Sequence, residues 1–133
     1  MTNDRTYTCV LCPNGCEIQV TFEGSQIASI ECALCRKGKV YVKQEITSPR
    51  RNIASSVRVE NGTLPLVSVR LTSPIPKDLI FAVMSEIKKI KVQAPVSLGQ
   101  VLLENVLGLN CDVIATKFVA KSHIHGQCEA KND

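Results

Sequence analysis

The sequence predicts an α+β chain: a small cysteine-rich β-hairpin module, then a compact domain of short strands and one main amphipathic helix. Three observations carry this. Five of the seven cysteines fall early, at Cys9, Cys12, Cys16, Cys32 and Cys35. Between the two cysteine groups, Ile18, Val20 and Phe22 alternate with polar residues, the period of a half-buried strand. Further on, Ile80, Val83, Met84, Ile87 and Ile90 recur at helical spacing. The chain has 133 residues, 44% of them apolar and 4% aromatic, with no Trp. That is enough for a core, and the core must be aliphatic.

The elements follow in order. Over 17–30 a hairpin is expected, turning at Gly24 and Ser25 and returning through Ile27 and Ile30. A basic, turn-rich connector comes next, with Arg36, Lys37, Lys39, Lys43, Arg50 and Arg51 in excess of local acids. Strands are expected over 54–60 and 64–71, joined by a turn at Asn61 and Gly62. Pro74 and Pro76 punctuate the chain before a helix over 77–91, whose last turn carries Lys88, Lys89 and Lys91, as the helix dipole favours. The stretch 91–96 reads as extended, 101–107 as a strand or short helix ended by Gly108, and 112–119 as a final strand. The domains so drawn are 1–45 for the cysteine module, 46–120 for the α+β body and 121–133 for a flexible tail.

Four thiolates complete the shell of a zinc ion or an iron–sulfur cluster, so five cysteines leave two sets in competition. Cys9, Cys12, Cys32 and Cys35 are spaced C-x2-C-x19-C-x2-C, a zinc-ribbon pattern. Cys9, Cys12, Cys16 and Cys35 are spaced C-x2-C-x3-C-x18-C, three close ligands and one remote, the habit of a four-iron cluster. A hairpin returns Cys32 or Cys35 to the first loop in either case, so spacing does not choose. Ordinary buried or disulfide-bonded cysteines are the plain alternative. The polar start, Met1 to Thr6, does not resemble a secretory signal, so a cytoplasmic, reducing compartment is expected, where thiol clusters hold metal more often than disulfides.

The run C-V-L-C-P-N-G-C with a later C-R-K-G resembles the amino-terminal cluster domain of molybdopterin oxidoreductases. Through about Lys117 the chain resembles a small bacterial and archaeal family of unknown function, often described as molybdopterin-oxidoreductase-like. The matching stretches include C-R-K-G-K-V-Y-V-K-Q-E, S-P-R-R-N-I-A-S-S-V, S-P-I-P-K, A-P-V-S-L-G and N-V-L-G-L-N-C-D-V-I-A-T-K. Members tend to be encoded beside flavoproteins resembling anaerobic glycerol-3-phosphate dehydrogenase. The resemblance implies a [4Fe-4S] cluster on Cys9, Cys12, Cys16 and Cys35, since the distal cysteine is the one before the basic-Gly pair and the Cys32 position is not normally cysteine. It implies an iron–sulfur electron-transfer accessory subunit, non-catalytic itself, working with a flavoprotein oxidoreductase. Arg70 and Gln100 depart from the pattern, which has lysine and an acid there. The competing reading is a zinc-ribbon-like binding module on Cys9, Cys12, Cys32 and Cys35 with no redox role.

The remaining residues narrow the choice. A molybdopterin needs several large domains around it, which this length does not supply. A four-iron cluster on four thiolates is a net anion, so Arg36, Lys37 and Lys39 would tune it or dock an acidic partner. The alternative for this basic run is a solvated face. A net charge of +4 with one interleaved aromatic, Tyr41, argues against nucleic acid, and no apolar run reaches membrane-span length. No catalytic pairing is evident among Asp78, Glu86 and Glu104. Cys111 reads as a buried small hydrophobe, and His123, His125 and Cys128 as part of an uninvolved end with some capacity for metal.

Overall fold

The computed structural model describes residues 1–123. They form two compact units, Met1–Arg50 and the chain from Arg51 onward.

In the first unit, β1 (Thr2–Thr8), β2 (Glu17–Glu23) and β3 (Gln26–Glu31) make an antiparallel sheet in the order β1-β2-β3. The expected β2–β3 hairpin forms, with Gly24 at φ 64° supplying the left-handed turn residue. The cysteines stand on either side of this hairpin, in the loops at its open end, as expected, and a further strand, β1, makes the sheet a three-stranded meander. β1 was not expected. Its residues are polar and exposed except for half-buried Tyr7, and it is held by full register against β2, from Thr2 opposite Glu23 to Thr8 opposite Glu17.

The supposed turn-rich connector is instead a helix, α1 (Arg36–Thr47). Gly38 and Val42 on one side of it are buried, and Tyr41 and Ile46 are half-buried beside them. That side packs on β2, where Ile18 and Val20 are fully buried. Lysine and glutamine tolerate a helix well, so the basic composition is its solvent face. A two-residue strand, β4 (Arg50–Arg51), lies at the unit boundary.

The second unit begins with β5 (Ala54–Glu60) and β6 (Leu66–Leu71), antiparallel, with Val57, Val59, Val67, Val69 and Leu71 alternating inward. β6 begins two residues later than expected: Pro65 accepts the Val59 amide opposite it but, having no N–H, donates nothing to the ladder. β7 (Ile75–Pro76) leads into a 3-10 turn over Lys77–Leu79 and then α2 (Ile80–Lys88). The helix is shorter than 77–91, since Lys91 already starts β8 (Lys91–Gln93), which pairs parallel with β5. Its apolar face is as the spacing predicts: Val83 and Ile87 buried, Ile80, Met84 and Ile90 packed alongside. The ambiguous 101–107 stretch divides into β9 (Val101–Leu103) and a 3-10 turn over Val106–Gly108. The last strand is short, β10 (Val113–Ala115), and completes a five-stranded sheet in the order β8-β5-β6-β10-β9.

The core beneath this sheet is aliphatic: valine predominates, and the exposed Phe81 and Phe118 take no part. Gly62 sits where a Cβ would meet Val59 Cγ1 at 2.7 Å and the Leu64 carbonyl at 3.0 Å, so the turn after β5 excludes a side chain. Lys121 bridges to Gly62 and the Ser122 amide donates to the Asn61 carbonyl, which ties the start of the expected tail to that turn.

Candidate metal centre

The β1–β2 ladder runs to the Thr8–Glu17 pair, so residues 9–16 form the loop at its end. The Cys9 amide donates to the Cys16 carbonyl at 2.9 Å, closing the neck of that loop and setting these two cysteines side by side at its base. Gly15, at φ 58°, turns the chain back into β2. β3 then returns antiparallel to β2, with Glu31 opposite Gln19, and so ends at the same end of the sheet. Cys35 follows as the N-cap of α1, extended at φ −142° and making no side-chain cap bond.

The result is a hollow of about 210 Å³ lined by four cysteines, Cys9, Cys12, Cys16 and Cys35. Leu11, Leu34, Ile18, Asn14, Lys37 and Gly38 complete its wall. Cys9 is buried, Cys16 half-buried, Cys12 and Cys35 exposed, and all are free thiols. Cys32 does not line the hollow; it is exposed and takes φ 64°, a left-handed conformation that costs a residue with a Cβ about 1–2 kcal/mol. Among the described residues, no three Cys, His, Asp or Glu side chains converge closely enough to hold one metal ion. The four thiols ring the hollow without closing on a point.

Gly38 explains the glycine of C-R-K-G. A Cβ there would stand 3.2 Å from Ile18 Cδ1 and 3.8 Å from Cys9 Sγ, so the bare backbone lets α1 lie close against β2 and the cysteine loop. Sequence reasoning missed both this contact and the helix that makes it. The signal was available in Gly38, Val42 and Ile46, three small or apolar positions four residues apart.

The electrostatics at the hollow favour an anion. It adjoins the amino-terminal end of α1, which carries partial positive charge and has no acidic residue in its first turn. Arg36, Lys37 and Lys39 are all exposed. Lys37 lines the cysteine hollow, Arg36 and Lys37 line an adjoining apolar hollow of about 340 Å³, and Lys39 lines neither. A roomier hollow of about 390 Å³ elsewhere in the unit, lined by Arg5, Tyr7, Phe22 and Glu45 among others, contains no thiol.

Cys111 is fully buried in the second unit, as expected of a small hydrophobe. Burial pushes its thiol up, but hydrogen bonding with Ser73 and Thr72 outweighs this and holds it below the ordinary value. His123 is exposed; His125 and Cys128 lie outside the described residues.

Residues 36–117 match a family of proteins of unknown function, DUF1667. No curated protein matches the chain. Among solved structures, the NMR structure of a Clostridium perfringens structural-genomics target is similar at 23% identity with a TM-score of 0.50, over 59% of this chain and 96% of that one. At that identity the likeness speaks to fold alone.

Proposed function

Taking as premise that the chain belongs to the DUF1667 family, we propose that it is an iron–sulfur electron-transfer accessory subunit working with a flavin-dependent oxidoreductase. The observation that carries the reading is the hollow shared by Cys9, Cys12, Cys16 and Cys35, from which Cys32 is absent. The four cysteines that line it are those of the C-x2-C-x3-C and distal C-R-K-G pattern by which the sequence resembles the molybdopterin-oxidoreductase cluster domain; the family match itself begins at Arg36, after all four.

The donor set fits the group. Four soft thiols suit iron and sulfide. Zinc needs its four ligands each about 2.3 Å from one point; the ringed arrangement suits a polynuclear group, whose ligands bind separate irons. The group, when bound, supplies one-electron transfer, which can connect a two-electron flavin to a one-electron carrier. The chain's own residues supply the rest. Cys9 and Cys16 are held by the neck of their loop, Cys35 by the start of α1. Leu11 and Leu34 make part of its wall apolar, which lowers the local polarity around a bound group. The positive end of α1, with Arg36 and Lys37, offsets the negative charge of four thiolates.

Protein prepared without oxygen and with ample iron is expected to be brown and to contain about four iron and four sulfide per chain. Cys16→Ser should lose or convert this content, and Cys32→Ser should keep it. Stoichiometric zinc with a colourless protein, or dependence on Cys32 in place of Cys16, would overturn the proposal in favour of the zinc module.

A further inference from the structure

The end of the first unit that carries the cysteine hollow is unusually apolar for a free surface. Val10 is 71% exposed, Leu11 54%, Leu34 81% and Val40 61%. Val10 and Leu11 lie between Cys9 and Cys12, Leu34 between Cys32 and Cys35, and Val40 on the solvent side of α1. Scattered exposed leucines are ordinary; a cluster of them is not. The unit's buried core comprises Cys9, Ile18, Val20 and Val42, with Tyr7, Phe22, Ile27, Ile30 and Ile46 packed against it, while Val10, Leu11, Leu34 and Val40 stay outside it. Leu11, Leu34 and Val40 belong to one continuous surface: Leu34 lines the cysteine hollow, Val40 the adjoining apolar hollow, and Leu11 and Lys37 line both; Val10 lines neither and adds exposed apolar surface next to Leu11 in the loop.

The charge around the patch is mainly basic: residues 9–16 carry no charged side chain and 32–43 carry Arg36, Lys37, Lys39 and Lys43 with no acid, while exposed Glu17 and Glu31 stand where β2 begins and β3 ends. A second copy of the chain would present the same cations, so self-association through this face is opposed. An anionic membrane also suits apolar groups beside cations. It has no group that exchanges electrons, however, and the patch surrounds the hollow that, among the described residues, brings four thiols together.

We propose that this face is a docking surface for an acidic redox protein, with an apolar centre formed by Val10, Leu11, Leu34 and Val40 and a basic rim formed by Arg36, Lys37 and Lys39. The inference rests on the electron-transfer reading and names the partner's chemistry: an apolar patch around its own redox group, rimmed by Asp and Glu. Apolar contact in the centre sets residence time, and the rim sets encounter rate and salt dependence.

The test uses isotope-labelled full-length protein titrated with flavodoxin, a small acidic flavin carrier. Cytochrome c, of opposite charge, and vesicles of mixed phosphatidylcholine and phosphatidylserine serve as controls. Flavodoxin alone should shift the amides of residues 10, 11, 34, 36, 37 and 40. Affinity should fall tenfold or more between 50 and 300 mM salt, as screening of a charged rim requires. Leu34→Asp and Lys37→Glu should each weaken it at least tenfold while leaving the far-ultraviolet circular dichroism unchanged. Three results would overturn the proposal: no shifts with flavodoxin at 50 mM salt, stronger binding to the anionic vesicles, or a dimer abolished by Leu34→Asp. Iron and sulfide are assayed on the same samples. A loaded protein that does not dock removes this inference alone, whereas docking by a protein that assembles no cluster removes the electron-transfer reading.

Discussion

Cys32 is set apart from the other amino-terminal cysteines by its backbone rather than by its sulfur. Its φ of 64° puts a left-handed residue in the short link between β3 and α1, the link that also carries Cys35. Glycine adopts such a conformation freely and a β-branched residue resists it most. Cys32→Gly is therefore expected to match or exceed the parent stability by up to about 1 kcal/mol, and Cys32→Val to lose about 1–2 kcal/mol. Urea unfolding of the two variants checks the order. A valine variant as stable as the parent would mean that the position is not held left-handed. Spacing alone could not tell Cys32 from Cys16, because one thiol looks like another in a sequence. The distinction lies in a dihedral angle and in which thiols share a cavity. The resemblance to the cluster-domain motif did favour Cys16, and the hollow contains the same four residues.

At the scale of elements, legibility followed burial. β5, β6 and α2 were readable because each buries one face and its apolar residues keep the period. β1 was not, because register with β2 holds it and its own residues, T-N-D-R-T-Y-T, bury almost nothing. α1 was missed because four basic residues and a glycine hid a narrow apolar stripe. That glycine gives the helix its test. In Gly38→Ala, the gain in helix propensity of about 1 kcal/mol opposes the crowding of Ile18 Cδ1 at 3.2 Å, so the melting temperature should move little. Gly38→Val adds bulk at the same contact and should cost about 1–3 kcal/mol. Thermal unfolding of both variants decides. An alanine variant as damaged as the valine one would show that the helix has no freedom to retreat from β2.

At the scale of the molecule, the two units differ in self-sufficiency. Among the described residues, the unit from Arg51 onward has a core of fifteen buried residues, whereas the buried core of the first has four, one of them Cys9. Domains of this size with so little core usually depend on a staple such as a metal. If four of its cysteines hold a cluster, removing that cluster should open residues 1–50 while leaving the second unit native. Amide exchange after oxidation and chelation checks this: amides of β2 and α1 should lose protection, while those of β5, β6 and α2 keep theirs. Equal protection before and after would mean that the meander and α1 stand without a bound group. No helix among the described residues is long and apolar enough to cross a membrane.

The parallel pairing of β5 with β8 has a consequence for how the chain is made. Arg58 stands opposite Lys91, and β6 and α2 lie between them in sequence. A ribosome delivers β5 and β6 first, and the outer edge of β5 has no strand beside it until Lys91–Gln93 has emerged. Throughout that interval the nascent chain carries an open strand edge, the feature through which chains pair with the wrong neighbour. Among the exposed residues of β5, Ser56, Arg58 and Glu60 put a hydroxyl and both signs of charge along a strand that must wait for its partner.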